Sequence, residues 1–203
     1  AIASSPAAGA DYTYCIVGAG PGGVQLGQYL SKSRAADLRD YVIFERAATA
    51  GYFFRKYPKH RELISINKRH LSPGHPEGYA FRQDWNSLIG RPDVTPVPLR
   101  TRKFFPQADL VADYIEEFAT AQVEEGKIVF NTSVNKVYKR DSGFDLLLSS
   151  AGVERTVSCS QVIMANGLWT PKRGVPNMVK GASLLLGYDE LPTWDGSEES
   201  VAE

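Results

Sequence analysis

Apolar residues along the chain follow two rhythms, and the changes between them mark out the elements. Residues 12–17, YTYCIV, form a continuous apolar run rich in strand formers. Such a run reads as a strand buried on both faces. After a cluster of glycines, Gly23, Leu26, Gly27 and Leu30 recur at i, i+3, i+4 and i+7, the stripe of a helix laid against a sheet. Residues 41–45, YVIFE, predict a second buried strand that ends on an acid. Strand, glycine turn, helix and strand make a βαβ unit, which needs a right-handed crossover and a parallel sheet.

Residues 47–107 lose the period and carry many breakers, among them Gly51, Pro58, Pro73, Gly74, Pro76, Gly78, Pro92, Pro96, Pro98 and Pro106. So long an irregular stretch inside a domain is expected to cover a site, with short helical pieces near residues 85–89. Helical order returns over residues 109–125. There Val111, Tyr114, Ile115 and Phe118 share a face, Asp109 and Asp113 sit near the start, and Gly126 stops the helix. IVF at 128–130 predicts a third parallel strand. Residues 134–139, 143–149 and 153–158 predict an antiparallel meander, turned by Asp141-Ser142-Gly143 and Ser150-Ala151-Gly152. Residues 161–165 predict a fourth core strand before Asn166-Gly167, and order fades after Pro171 and Pro176. The expected fold is α/β: a Rossmann-like domain with a parallel sheet and a three-stranded antiparallel β-meander.

Composition narrows the classes. With 43% apolar and 23% charged residues among 203, the bulk of the chain is globular. Lys and Arg number 23, as do Asp and Glu, so net charge offers no reason to expect nucleic acid. No run approaches the ~18 apolar residues of a membrane span. The balance hides an asymmetry. Residues 181–203 carry six acids and no Lys or Arg, leaving 23 basic against 17 acidic, or +6, in residues 1–180. The basic excess is densest at Arg55, Lys56, Lys59, Arg61, Lys68 and Arg69, where a solvated loop and an anion site are both open readings.

Residues 1–10, AIASSPAAGA, read as a flexible leader. The first residue is not Met, which is expected of a chain processed or cut from something longer. Cys15 and Cys159 are the only cysteines. Two exclude a disulfide framework and a Cys-rich metal site, and both read as small buried hydrophobes. There is no C-x-x-C redox pair. His60, His70 and His75 are the only histidines, with no cysteine nearby, so no metal site is expected.

The chemistry gathers at Gly18-Ala-Gly20-Pro21-Gly22-Gly23, which fits G-x-G-x-x-G. Gly18 permits the tight turn, Gly20 lets the backbone approach a pyrophosphate, and Gly23 lets the helix press on the strand. The helix N-terminus offers free amides and a positive dipole end to phosphate. Glu45 lies 22 residues beyond Gly23, near the usual ~20, where an acid takes the ribose hydroxyls and repels a 2′-phosphate. The fingerprint does not separate NAD from FAD.

The rest of the layout resembles the FAD domain of two-dinucleotide-domain flavoproteins, in which a meander follows the third parallel strand. The match narrows at FERAATAGYFFRKYPKHRELISINKRH, RQDWNSL, KFFPQADLVADYIEEFA, NGLWTPKRGVP and GYDEL. Over roughly residues 11–190 the chain resembles the FAD-dependent oxidoreductase domain-containing family, which includes an endoplasmic reticulum flavoprotein associated with degradation. The resemblance implies an FAD enzyme that takes hydride from NADPH through flavin N5. It implies cofactor-binding roles for Gly18, Gly20, Pro21, Gly22, Gly23, Glu45, Arg46, Gly51, Tyr52, Phe53, Arg55, Val134, Ala165, Asn166 and Gly167, and names no catalytic residue. Residues 51–57 would lie over flavin and pyrophosphate. Val134 would sit where the backbone reaches adenine. Ala165-Asn166-Gly167 stands where many members have Ala-Thr-Gly, a departure at Asn166. Contact and core are equal readings for Phe53 and Phe54.

The resemblance also implies boundaries: a leader over 1–10, the N-terminal segment of an FAD-binding domain over 11–170, and a linker and acidic tail over 171–203 leading to an NADPH-binding domain that this chain lacks. The aromatic-Gly-His signature of Baeyer–Villiger enzymes is missing after Gly167. Asn131-Thr132-Ser133 is a glycosylation sequon. Sequon, leader and resemblance together give an expected home in the endoplasmic reticulum lumen, with the cytoplasm as the alternative. Protein partners in the folding and degradation machinery are expected there. Competing readings are a non-catalytic dinucleotide-binding scaffold, a flavin monooxygenase-like segment and an NAD-dependent dehydrogenase.

Overall fold

Strand β1 (Tyr12–Val17) runs through the middle of a six-stranded sheet of order β3-β2-β1-β6-β5-β4 in a computed structural model that describes residues 10–70 and 87–167. Helix α1 (Pro21–Ser31) crosses from β1 to the parallel neighbour β2 (Tyr41–Phe44). Among the described residues the single-turn helices α2 (Phe53–Lys56) and α3 (Val97–Arg100) follow, then the long α4 (Ala108–Glu124) and the short parallel strand β3 (Ile128–Val129). The chain then makes antiparallel β4 (Ser133–Arg140) and β5 (Gly143–Ser150), and returns along β6 (Val153–Met164).

The expected α/β fold with its meander is present, joined more closely than the sequence pattern suggests. The two strands expected at 153–158 and 161–165 are one. β6 pairs antiparallel with β5 as far as Phe144↔Cys159, and parallel with β1 from Tyr12↔Cys159 to Val17↔Met164. Both halves belong to one extended chain that changes partner at Cys159. Helical pieces near residues 85–89 fall partly outside the described residues. Residues 87–90 form bends.

Successive strand residues point to opposite faces, and two cores result. Tyr14, Ile16, Tyr41 and Ile43 pack with Val111, Tyr114, Ile115 and Phe118 of α4, the face the helical period predicts. On α1 the buried residues are Gly23, Val24, Gly27 and Gln28, with Leu26 and Leu30 at the flank. The stripe turns because Gly27 lies against Gln122, Ile43 and Tyr41, with no room for a side chain. Gln122 spans the two helices, its Nε2 donating to the Val24 carbonyl at 2.8 Å.

The other core holds Cys15, Val42, Phe44, Leu146, Leu148, Val157 and Cys159. Here the reading of the cysteines is corrected. They are buried, as small hydrophobes would be, but they are joined to each other as a disulfide between residues 144 apart in sequence. Strand pairing of β1 with β6, which no local pattern reveals, brings them together. Edge strand β4 is largely exposed and carries Lys136, Lys139 and Arg140, charges that discourage pairing with another chain.

Candidate dinucleotide-binding site

The site begins where β1 ends. Gly18 has φ +103°, a region that side chains disfavour, and a Cβ there would stand 2.7 Å from the Ala165 carbonyl oxygen. Its amide donates to the Phe44 carbonyl at 2.8 Å, so the turn is held between β2 and the end of β6. Gly20 is the N-cap of α1 in extended conformation, with Pro21 in the first turn, where the missing N–H of proline has no helical partner to lose. Val24 makes the first helical bond, to the Gly20 carbonyl at 3.0 Å. The amides of Gly22 and Gly23 precede it and have no acceptor within the helix.

The glycines divide into two kinds. A Cβ on Gly23 would collide with the Gly18 carbonyl oxygen, so this residue sets the contact between helix and turn. A Cβ on Gly20 or Gly22 would meet nothing within 4 Å. Packing does not demand glycine at these two positions. They front an open cradle at a helix N-terminus, the arrangement that receives a pyrophosphate.

Glu45 closes the other side. Ala19 N–H donates to its Oε2 at 2.8 Å and Ala47 N–H to its Oε1 at 2.8 Å. Two backbone amides thus fix the carboxylate beside the turn, and each oxygen keeps acceptor capacity for a hydroxyl. The Glu45 carbonyl accepts from Thr132 N–H at 2.9 Å, and the Ala47 carbonyl from Asn131 N–H at 3.0 Å. These bonds bring the entry to β4, where Val134 begins to pack on the second core, up against the end of β2. Arg46 is exposed between them.

Gly51 N–H donates to the Ala19 carbonyl at 2.9 Å, which joins the third segment to the same turn. Beyond it the aromatics divide between solvent and core. Tyr52 is 40% and Phe53 42% exposed, while Phe54 is 6% exposed and belongs to the helix-side core. Arg55 turns toward α4. Its Nη2 lies 2.6 Å from Asp113 Oδ1 and 2.7 Å from Glu116 Oε1, and Arg61 reaches Asp109 at 2.8 Å. Desolvation works against the Arg55 charge. Hydrogen bonds to Glu116 and Asp113, with their coulombic attraction, outweigh it and raise the guanidinium pKa above its ordinary value. Neither earlier reading of the basic stretch describes these two arginines, because the acidic face of α4 neutralises them.

Ala165 donates its N–H to the Val17 carbonyl at 2.9 Å, and Asn166 and Gly167 are exposed just past β6. The structure therefore gathers Gly18, Gly20, Pro21, Gly22, Gly23, Glu45, Gly51 and Ala165 around one turn, and directs Arg55 elsewhere. The depression formed by Thr95, Arg100, Leu110, Asp113 and Glu117 shares no residue with this group. Among the described residues no cluster of three His, Cys, Asp or Glu could hold a metal. His75 lies outside the described residues, as do residues 1–9 and 168–203.

This βαβ turn, with a meander inserted before the last parallel strand, is the architecture of Rossmann-type flavoenzymes. OTEMO in complex with FAD and NADP superimposes with a TM-score of 0.58 at 18% identity, over 93% of this chain and 31% of that one. Bacillithiol disulfide reductase of Staphylococcus aureus gives 0.54 at 16% identity, over 77% and 38%. A family model described as pyridine nucleotide-disulphide oxidoreductase matches residues 15–201, and the chain belongs to that family. Curated relatives named FAD-dependent oxidoreductase domain-containing protein 2 are 37% identical over 188 residues in Danio rerio and 33% identical over 186 residues in Mus musculus. These alignments cover 90% and 88% of this chain but 25% and 26% of the relatives, so the chain spans about a quarter of their length.

Proposed function

We propose that this chain binds FAD and forms the flavin-holding part of an NADPH-dependent oxidoreductase that passes hydride equivalents to a further acceptor or to O2. The observation that carries the reading is the first turn, where two glycines front open space at a helix N-terminus while Glu45 is pinned 2.8 Å from the Ala19 amide. FAD, when bound, supplies the hydride acceptance and donation through its flavin ring.

The chain's own residues bind, orient and exclude water. The Gly22 and Gly23 amides, aided by the α1 dipole, hold the pyrophosphate. Glu45 accepts the ribose hydroxyls and by its charge turns away a 2′-phosphate, which favours FAD here over NADP. The backbone around Val134 flanks adenine. Tyr52 and Phe53 present exposed rings able to stack on a planar ligand. Asn166 and Gly167 line the exit from β6.

NADPH is assigned to a part of the protein outside these 203 residues, which hold one glycine fingerprint. The family's pyridine-nucleotide chemistry supports NADPH as the donor. A flavin spectrum and an NADPH oxidation assay, run on this segment beside the full-length protein, test the reading. Yellow full-length protein that oxidises NADPH, with no turnover by the segment, is expected. Full-length protein without flavin absorbance overturns the proposal.

For compartment, the proposal is the endoplasmic reticulum lumen, with partners in its folding and degradation machinery. Asn131, acceptor of the sequon, is exposed at the end of β3, which supports this. An endoglycosidase-sensitive mobility shift lost in Asn131→Gln is the expected result.

A further inference from the structure

The disulfide between Cys15 and Cys159 joins Cα atoms 6.0 Å apart across 144 residues of sequence. The two residues are 0% and 1% exposed, among Val42, Phe44, Leu146, Leu148 and Val157. The place of the bond is informative. Cys15 stands three residues before Gly18 on the strand that carries the fingerprint. Cys159 is the residue at which β6 changes partner, opposite Phe144 on β5 and opposite Tyr12 on β1. The bond therefore fastens the glycine-turn strand to the joint between parallel sheet and meander.

Both fastened strands end at the site. β1 runs into Gly18 and β6 into Ala165, and the Ala165 carbonyl oxygen lies where a Gly18 Cβ would come within 2.7 Å. The Val17 carbonyl accepts from Ala165 N–H at 2.9 Å. Sliding β6 along β1 would open or block the turn at once. Burial also separates this bond from an exchanging redox pair, since a thiolate must reach a sulfur to reduce it.

We propose that the Cys15–Cys159 disulfide is a structural lock on the dinucleotide site, which the chain must acquire in an oxidising compartment to hold its cofactor tightly. Two thiols lose two protons and two electrons as the sulfur–sulfur bond forms. The oxidant is the disulfide of a thiol–disulfide oxidoreductase, whose own bond breaks by way of a mixed disulfide and leaves as a dithiol. A reducing cytosol would keep both residues as thiols. The cofactor half of the inference rests on the FAD reading above. The cross-link does not.

The test uses the full-length protein made in an oxidising compartment. Digestion without reductant should yield the peptides of Cys15 and Cys159 joined, lighter by two hydrogens than the free pair. The native protein should resist a maleimide at both sites. Wild type and Cys15→Ala/Cys159→Ala are then compared for FAD release and melting, before and after reduction in mild denaturant. Before reduction the variant should bind FAD at least tenfold more weakly and melt about 10 °C lower. After reduction wild type should fall to the variant's values. If the variant does not fold, the reduction series on wild type reads the same loss. Two free thiols in the unreduced map, or unchanged FAD release and melting once the bond is broken, would overturn the inference. Free thiols in a yellow, active protein sink the lock alone, while a mapped cross-link in a protein that never holds flavin sinks the FAD reading.

Discussion

The turn at residues 18–23, marked by its glycine spacing, and the segment at residues 51–57, tied to the same ligand only by family resemblance, are built by different means. The first is made of backbone. Its glycines and the amides that bind Glu45 leave little for side chains to do. The second is made of side chains, with Phe54 sunk in the core, Arg55 ion-paired to α4, and Tyr52 and Phe53 facing out. A backbone site is specified by spacing along the chain. A side-chain site depends on what the fold brings opposite it. The comparison teaches that a turn can be located from glycine spacing alone, whereas what a side-chain segment faces is decided by the tertiary geometry.

The sharpest way to break the comparison is inside the turn. Gly23→Val should prevent stable folding, because its Cβ would collide with the Gly18 carbonyl and overpacking against backbone exceeds the usual ~1–3 kcal/mol. Gly20→Val should keep the melting temperature and weaken FAD binding at least ~100-fold, or about 2.7 kcal/mol, because its Cβ enters the open cradle. Thermal melts and flavin titration on both variants check this. Equal behaviour would mean that packing and ligand do not divide the glycines.

The aromatic pair comes next. Phe54→Ala should destabilise by about 3 kcal/mol and Phe53→Ala by less than ~1, as measured by denaturant unfolding. A flavin effect confined to Phe53→Ala would make its ring a ligand contact. Glu45→Ala removes the acceptor of the buried Ala19 amide and should cost about 2 kcal/mol. It should also loosen the ribose end, read as weaker FAD binding. A comparably small effect is expected for Arg55→Met. Its ion pairs are partly exposed, so the loss should stay near ~1 kcal/mol and shrink further with added salt. A large, salt-independent loss of flavin would instead return Arg55 to the cofactor.

Much of this was legible in the chain. The run YTYCIV, the α4 face Val111–Tyr114–Ile115–Phe118, and the meander turns at Gly143 and Gly152 fold as their periods predict, because local steric preference and burial agree there. Glycine spacing with Glu45 located the turn. Less legible were elements whose form depends on partners. β6 reads as two strands until β1 and β5 are both beside it. The α1 stripe rotates because Gln122, 95 residues after Gly27, occupies its groove. Arg55 reads as an anion contact until the acids of α4 come within 2.7 Å.

By itself the sequence determined the order of elements, the glycine turn and the acid at the end of the second strand, because these follow from φ preferences, periodicity and spacing within short stretches. Only the tertiary structure decided where Arg55 points, which ring of Phe53 and Phe54 meets solvent, and that Cys15 meets Cys159. Those outcomes depend on strands and helices far apart in the chain arriving side by side, and no local rule encodes such a meeting.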